Sequence, residues 1–251
     1  MKKKRLKVDF HLHTKEDPHD FISFDSFRLV DMMASRGYDA IAITNHDRIT
    51  WSEKLRDYAR ERGLIVFRGV ERTIRGRHVL LINFDGSIGE YRSLTDISRA
   101  KRPDNLVIAA HPYFPLMTAS GWLLERRPEV FDALEYCHYY VRNVNFNKKA
   151  VVRSYALGLP LVGNSDAHTV RQIGRTYSVV HAEKEPEAII RAVKEGEVEV
   201  VTRPFSTATL LQISCLIPYR NIKGRMKCLL KTGRYGYRGP DEPEPPLSSG
   251  R

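Results

Sequence analysis

Six times along this 251-residue chain, a short strand-like run ends in residues that carry an imidazole or a carboxylate. The ends are Asp9-Phe10-His11-Leu12-His13-Thr14, Thr44-Asn45-His46, Gly69-Val70-Glu71, Ala110-His111-Pro112, Glu135-Tyr136-Cys137-His138 and Asn164-Ser165-Asp166-Ala167-His168. Side chains two apart in an extended segment project to the same side, so His11 and His13 can point at one ion. A lone His-x-His pair says little. Its recurrence as a series of donor-bearing strand ends restricts the fold far more, because those ends must meet on one face.

The segments between the runs read as helices. Ser26 is placed as an N-cap ahead of an apolar stripe of Phe27, Val30, Met33 and Ala34, closed by Gly37. Further helices are predicted over 52–62 and 90–101, over 145–157 before Gly158 and Pro160, and from Pro186 to Gly196. Strands are predicted over 39–44, 64–68, 78–84, 106–110, 131–135, 161–164, 175–180 and 198–202, with a turn at Arg75-Gly76-Arg77. Sustained alternation with donors at the strand ends predicts an α/β chain folded as a (β/α) barrel, whose site gathers at the C-terminal face of the strands.

The formal charge of +11 is unevenly placed. Residues 2–7 carry five Lys/Arg and no acid, residues 206–238 seven and no acid, and residues 239–251 one Arg against three acids. Taking those 13 basic and three acidic residues from 41 and 30 leaves 28 and 27 in 8–205, a near-neutral body with basic ends. Such ends suit anionic partners, nucleic acid among them, and equally suit plain solvation. The expected division is a metal-dependent domain over 1–205 and a basic C-terminal extension over 206–251. A basic amphipathic helix is expected over 221–231, and disorder over 239–251. No run approaches the ~18 apolar residues of a spanning helix, and the basic start lacks an apolar signal core. Cys137, Cys215 and Cys228 fit neither a zinc spacing nor a disulfide framework, so a reducing cytoplasm is the expected location.

Mixed imidazole and carboxylate donors suit Zn, Mn or Fe rather than calcium. The donors are too many for one ion, which predicts two or three divalent ions, with Glu71 or Asp166 able to bridge a pair. Clustered ions lower the pKa of a shared water and neutralise the charge of a phosphoryl group. No serine or cysteine nucleophile is then needed, and Cys137 is read as a packing residue. His78 and His181 lie outside the six runs and are read as structural.

The ordered set of Asp9-Phe-His11-Leu-His13-Thr14, Thr44-Asn45-His46-Asp47, Gly69-Val70-Glu71, Ala110-His111-Pro112 and Asn164-Ser165-Asp166-Ala167-His168 resembles the motifs of the PHP (polymerase and histidinol phosphatase) superfamily. The resemblance covers roughly 6–202 and implies a distorted (β/α)7 TIM-like barrel with up to three metals. It further implies that His11, His13, Glu71 and Asp166 hold a first metal. Glu71 would bridge to a second, held by His111 and His138. A third would take His46, His168 and a residue from the loop after His13. His19 is chosen for that position, with Asp17 and Asp20 as competitors. By the same resemblance His11, His13, Glu71, Asp166 and His168 are the catalytic set. Asp9 is expected to orient a ligand histidine. Asn45 stands where many members have Asp, which predicts a weaker third metal for want of a negative partner to His46.

The activity implied is hydrolysis of phosphoesters by metal-bound hydroxide, as in the stand-alone phosphatase-like members. The substrate class is a phosphorylated small molecule or nucleotide. Arg48, Arg75, Arg77, Arg142 and Arg171 fall on loops of the predicted catalytic face, and one or two are expected to clamp phosphate. A competing reading is a nuclease or nucleotide phosphatase acting on nucleic-acid ends, tracked by the basic termini and the interleaved Arg234, Tyr235, Tyr237 and Arg238. A non-catalytic metal-binding module, and hydrolysis of a non-phosphate ester or amide, are also compatible with the same donor set.

Overall fold

A computed structural model of the chain describes residues 3–232. The strands are β1 (Lys4–Leu12), β2 (Ala40–Ile43), β3 (Ile65–Ile74), β4 (Arg77–Ile82), β5 (Leu106–Ala109), β6 (Ala133–Cys137), β7 (Leu161–Asn164), β8 (Thr176–Ala182) and β9 (Val198–Thr202). They form one sheet in the order β7-β6-β5-β4-β3-β2-β1-β8-β9. Its ends curl toward each other. The Ser178 hydroxyl on β8 donates to the Gly163 carbonyl on β7 and accepts from the Gly163 N–H, each at 3.0 Å. Gly163 is required there, because a Cβ would lie 2.7 Å from the Tyr177 carbonyl oxygen. The sheet is therefore a nearly closed barrel, and the expected distorted α/β barrel is present.

The distortion has a specific form. β1, β2 and β3 pair in parallel, as do β5, β6 and β7. β4 runs antiparallel between β3 and β5, and β8 runs antiparallel between β1 and β9. The β3–β4 link is a hairpin whose two turn residues, Arg75 and Gly76, both have positive φ (50° and 73°). That backbone matches strand twist in a two-residue hairpin.

Both faces of β2 and β5 are covered, so these two strands are wholly apolar and fully buried. In β2, Ala40 and Ala42 face the barrel interior with Phe10, Phe67 and Leu80. Ile41 and Ile43 face outward against Leu29, Met33 and Leu55. Those outer residues come from α1 (Ser26–Ser35) and α2 (Glu53–Arg60). The small Ala40 and Ala42 leave room inside the narrow barrel for Phe10, Phe67 and Leu80. Gly69 marks the tightest point, since a Cβ there would sit 2.9 Å from both the Ile43 carbonyl oxygen and the Thr44 methyl. Gly69→Ala is expected to lose about 1–3 kcal/mol of stability, the usual cost of overpacking. Urea unfolding checks this, and an unchanged midpoint would contradict it.

Several local expectations shift. α1 is capped by Asp25, whose carboxylate accepts from the Arg28 N–H at 2.8 Å, and Ser26 is the first helical residue. Over 90–101 the helix is shorter, α3 (Leu94–Ala100), because Ser93 caps a fresh start and Tyr91 turns into the core. A helix not predicted, α4 (Gly121–Arg126), follows β5. α5 (Asn147–Leu157) and α6 (Pro186–Lys194) stand close to where the sequence puts them. From Thr207 the extension is one helix, α7 (Thr207–Thr232), so the helix expected over 221–231 is part of a longer one with Pro218 inside it. The expected disordered segment 239–251, and Arg234, Tyr235, Tyr237 and Arg238, lie outside the described residues. No described helix is long and apolar enough to cross a membrane.

Candidate metal centre

The ends of β1, β2, β3, β5 and β7 converge on Glu71. Its carboxylate is 1 % exposed and meets five imidazoles. Oε2 lies 3.2 Å from His11 Nε2, 3.3 Å from His13 Nε2 and 3.1 Å from His46 Nε2. Oε1 lies 2.7 Å from His78 Nδ1 and 3.3 Å from His111 Nε2. Asp166 Oδ1 closes the other side, 3.4 Å from His11 Nε2 and 3.2 Å from His13 Nε2. His168 stacks on His13 with ring centroids 4.2 Å apart.

These separations test whether the residues fit a metal. Two donors about 2.1 Å from one ion, at tetrahedral or octahedral angles, lie roughly 3.0–3.4 Å apart. Most of the distances around Glu71 and Asp166 fall in that range. His11 Nε2 and His13 Nε2 are buried with no hydrogen-bond partner. A buried imidazole nitrogen left unpaired is costly in a protein interior and ordinary at a metal. Three further groups bring donor atoms within 4.8 Å of one another: His13, His46 and His168; His46, Glu71 and His78; Asp17, Asp20 and His46. The donor set fits divalent ions.

The opposite ring nitrogens are held by carboxylates. His11 Nδ1 donates to Glu135 Oε1 at 2.9 Å. His13 Nδ1 and His46 Nδ1 both donate to Asp17 Oδ2 at 2.9 Å. This fixes the tautomer with Nε2 turned to the cluster and raises its basicity, as around ligated histidines generally. Burial works against the charge of His11 and His13, but the neighbouring carboxylates outweigh it and hold both well above the usual histidine range. Burial likewise opposes ionisation of Glu71, Asp166 and Asp17, yet the surrounding histidines keep all three well below the usual carboxylate range. His111 and Asp166 adopt positive φ (29° and 42°), a conformation that costs a non-glycine residue about 1–3 kcal/mol and clusters at functional sites.

The residues named from sequence fare differently. His11, His13, His46, Glu71, His111, Asp166 and His168 are brought together. His138 is buried nearby, but its Nε2 faces the Gln172 side-chain nitrogen at 3.0 Å, and burial pushes its pKa down to about 4. His19 stacks on His46 at 5.3 Å and enters none of the four donor groups. Its competitors do reach in: Asp17 as above, and Asp20, whose Oδ2 lies 2.9 Å from His168 Nε2.

Asp9 accepts the backbone N–H groups of His11 and Ser165, both at 3.2 Å, so it orients main chain, while Glu135 orients the His11 ring. Glu135→Gln is expected to weaken metal binding about 10–100-fold. Equilibrium dialysis checks this, and unchanged affinity would contradict it. Asn45 accepts from the Thr14 N–H at 2.8 Å, and the negative partner of His46 is Asp17, which removes the reason to expect a weak site. The buried Cys137 thiol is pushed well up by desolvation, which keeps it protonated. His181 pairs with Glu199 at 2.7 Å, away from the cluster. None of Arg48, Arg75, Arg77, Arg142 and Arg171 has a described hydrogen bond to a cluster residue. Arg77 donates to the Ala119 carbonyl at 3.3 Å and Arg171 to Gln212 at 2.9 Å.

His78, read as structural, belongs to the cluster. Its signal was the hairpin: the turn at Arg75-Gly76 pairs Thr73 with His78 and puts His78 on the face that carries Glu71. Glu135 had a signal too, an acid inside an otherwise apolar strand.

Residues 145–198 match the PHP-associated family. None of the curated proteins matches the chain. A two-domain protein from Bacteroides vulgatus, containing a predicted PHP-like metal-dependent phosphoesterase, superposes with a TM-score of 0.62 at 21% identity, over 84% of this chain and 69% of its own. PsfC from Pseudomonas syringae gives 0.61 at 17%, over 88% and 99%. The lesion-specific endonuclease PfuEndoQ from Pyrococcus furiosus gives 0.52 at 14%, over 84% and 66%. At these identities the likeness is one of fold. What the chain shares with these structures is the barrel, and the PHP-associated match is confined to 145–198.

Proposed function

We propose that the chain is a metal-dependent phosphoester hydrolase. The observation that carries this is the pair of buried, unpartnered Nε2 atoms of His11 and His13, facing Glu71 and Asp166 at the spacing of ligands on one ion. His11, His13, Glu71 and Asp166 would hold a first metal. Glu71, His111 and His78 would hold a second, in place of the pair His111 and His138. His46 and His168 would hold a third with Asp20, in place of His19. When bound, Zn, Mn or Fe at these positions would lower the pKa of water and neutralise phosphoryl charge. The residues themselves do the positioning. Asp17 and Glu135 aim three imidazoles, and Gln172 braces the last loop by accepting the His168 N–H at 3.1 Å and donating to the Asp166 carbonyl at 3.0 Å. Catalytic roles fall to His11, His13, Glu71, Asp166 and His168.

The test is phosphate release from an aryl phosphomonoester and its matching diester by chelator-stripped protein reloaded with Mn or Zn. Asp166→Ala serves as the control. Turnover that appears on loading and vanishes in the variant is expected. Loaded protein with no turnover on either ester would sink the proposal.

A second reading, hydrolysis at nucleic-acid ends, is favoured by a cleft of about 400 Å³ beside the β3–β4 hairpin. Arg75, Arg126 and Arg127 line it with Trp122, over whose ring the Arg126 guanidinium lies at 4.3 Å. Cationic groups beside an aromatic face suit single-stranded nucleic acid. Under this reading, turnover of a short 5′-labelled RNA falls steeply between about 50 and 200 mM salt, as counterion release requires. Salt-independent turnover of monoesters alone would exclude it.

A further inference from the structure

The C-terminal helix α7 crosses the rim of the barrel on the side of the metal centre. Ile213, one of its own residues, is buried against the barrel. Gln212 accepts from Arg171, and the Leu210 carbonyl accepts from the Tyr139 hydroxyl at 3.4 Å, so the helix is tied to the loops that follow Asp166-Ala167-His168 and His138. Two turns further on, Asn221 reaches the loop after β1. Its Oδ1 accepts the Phe21 N–H at 2.9 Å, and its Nδ2 donates to Asp20 Oδ1. The two partners fix the amide orientation, since one is a donor and the other an acceptor only. Gly224 lies on the same face one turn later, where any Cβ would overlap the Phe21 ring. A glycine at that place lets the helix come close enough for Asn221 to reach.

Asp20 is where this matters. One carboxylate oxygen accepts from the Asn221 amide, and the other lies 2.9 Å from His168 Nε2. Asp20 Oδ2 also stands 3.7 Å from His46 Nδ1. We infer that Asn221 is a positioning residue for the His46–His168–Asp20 side of the metal centre, so that the centre is completed by the C-terminal helix. The inference rests on the metal-centre reading given above. It assigns α7 a task distinct from binding anions, and it makes occupancy of one metal position depend on a single amide that the helix delivers to Asp20. Without Asn221 the Asp20 carboxylate loses a donor that holds it toward His168, and the ligand set on that side loosens.

The experiment is a titration of stripped, full-length protein with Mn and with Zn, followed by competition with a chromophoric chelator. Wild type, Asn221→Ala, Asn221→Asp and Gln212→Ala are compared, with circular dichroism confirming the fold of each. Asn221→Asp keeps an acceptor for the Phe21 N–H but sets a carboxylate against Asp20. Gln212→Ala loosens the helix without touching Asp20. Expected is an affinity at the weakest position lower by about tenfold in both Asn221 variants and unchanged in Gln212→Ala, in line with losses on removing outer partners of metal ligands. Equal binding by wild type and both Asn221 variants overturns the inference, as does an equal loss in Gln212→Ala, which would mean simple helix docking. Wild-type protein that takes up no metal would overturn the metal-centre reading itself, so the two failures are told apart.

Discussion

Glu71→Gln is expected to lower phosphoester turnover by about a thousandfold, and to lower the metal content of the purified protein with it. Removing a single aimed electrostatic group from an active site already costs about 10²–10³ in rate. Glu71 does more than one such group, because its two oxygens face five imidazole nitrogens within 3.3 Å. The amide preserves volume while removing the charge and turning one oxygen into a donor. That donor points at nitrogens which must offer lone pairs to a metal. Loss of a ligand shared by two positions should appear as a fall in metal stoichiometry, measured by elemental analysis, alongside the kinetic loss. A variant that stays within tenfold of wild type and holds its full complement of metal would refute the central place given to Glu71.

Metal loading is expected to raise thermal stability, and to raise it more at pH 8 than at pH 6. At a hundredfold excess over Kd, one site contributes about 2.7 kcal/mol. In a chain of this size each kcal/mol moves Tm by roughly 2–4 °C. The pH dependence follows from the histidines. In the metal-free protein, His11, His13, His46 and His111 are raised above the ordinary histidine value, with carboxylates overcoming the opposing effect of burial. A raised histidine contributes stability that is fully present below its unfolded pKa and is lost as pH rises through the folded one. The metal-free form should therefore lose stability above about pH 6.5. The depressed Glu71 and Asp166 contribute stability above their unfolded values, lost only as pH falls well into the acid range, so they leave this window unchanged. Metal requires the neutral imidazole, so binding releases protons and strengthens with pH. Scanning calorimetry with and without metal at the two pH values checks the sign. A gap that narrows toward pH 8 would contradict it.

Much of the centre was legible because one face of a barrel collects strand ends, so donors at the ends of predicted strands must meet. His11, His13, His46, Glu71, His111, Asp166 and His168 come together as that rule expects. The misreadings have physical causes. His78 lies at the start of an antiparallel strand, so the rule for C-terminal strand ends passed over it. The choice of His19 over Asp17 and Asp20 came from loop spacing, and a loop's spacing does not fix which side chain turns inward. Asp17 instead turns inward to where the His13 and His46 N–H groups converge on one of its oxygens.

By itself the sequence determined the α/β alternation, the barrel and the gathering of most donor-bearing strand ends, because buried strands, glycine-closed helices and donors at strand ends are local patterns with one economical arrangement. The tertiary structure alone decided which carboxylate aims each histidine, since Glu135 lies 124 residues from His11 and Asn164 lies 154 from the Phe10 N–H it accepts. It also brought α7 to Asp20 across 201 residues. Pairings at such separation depend on the closing of the barrel and the packing of a helix across its rim, and no local pattern encodes them.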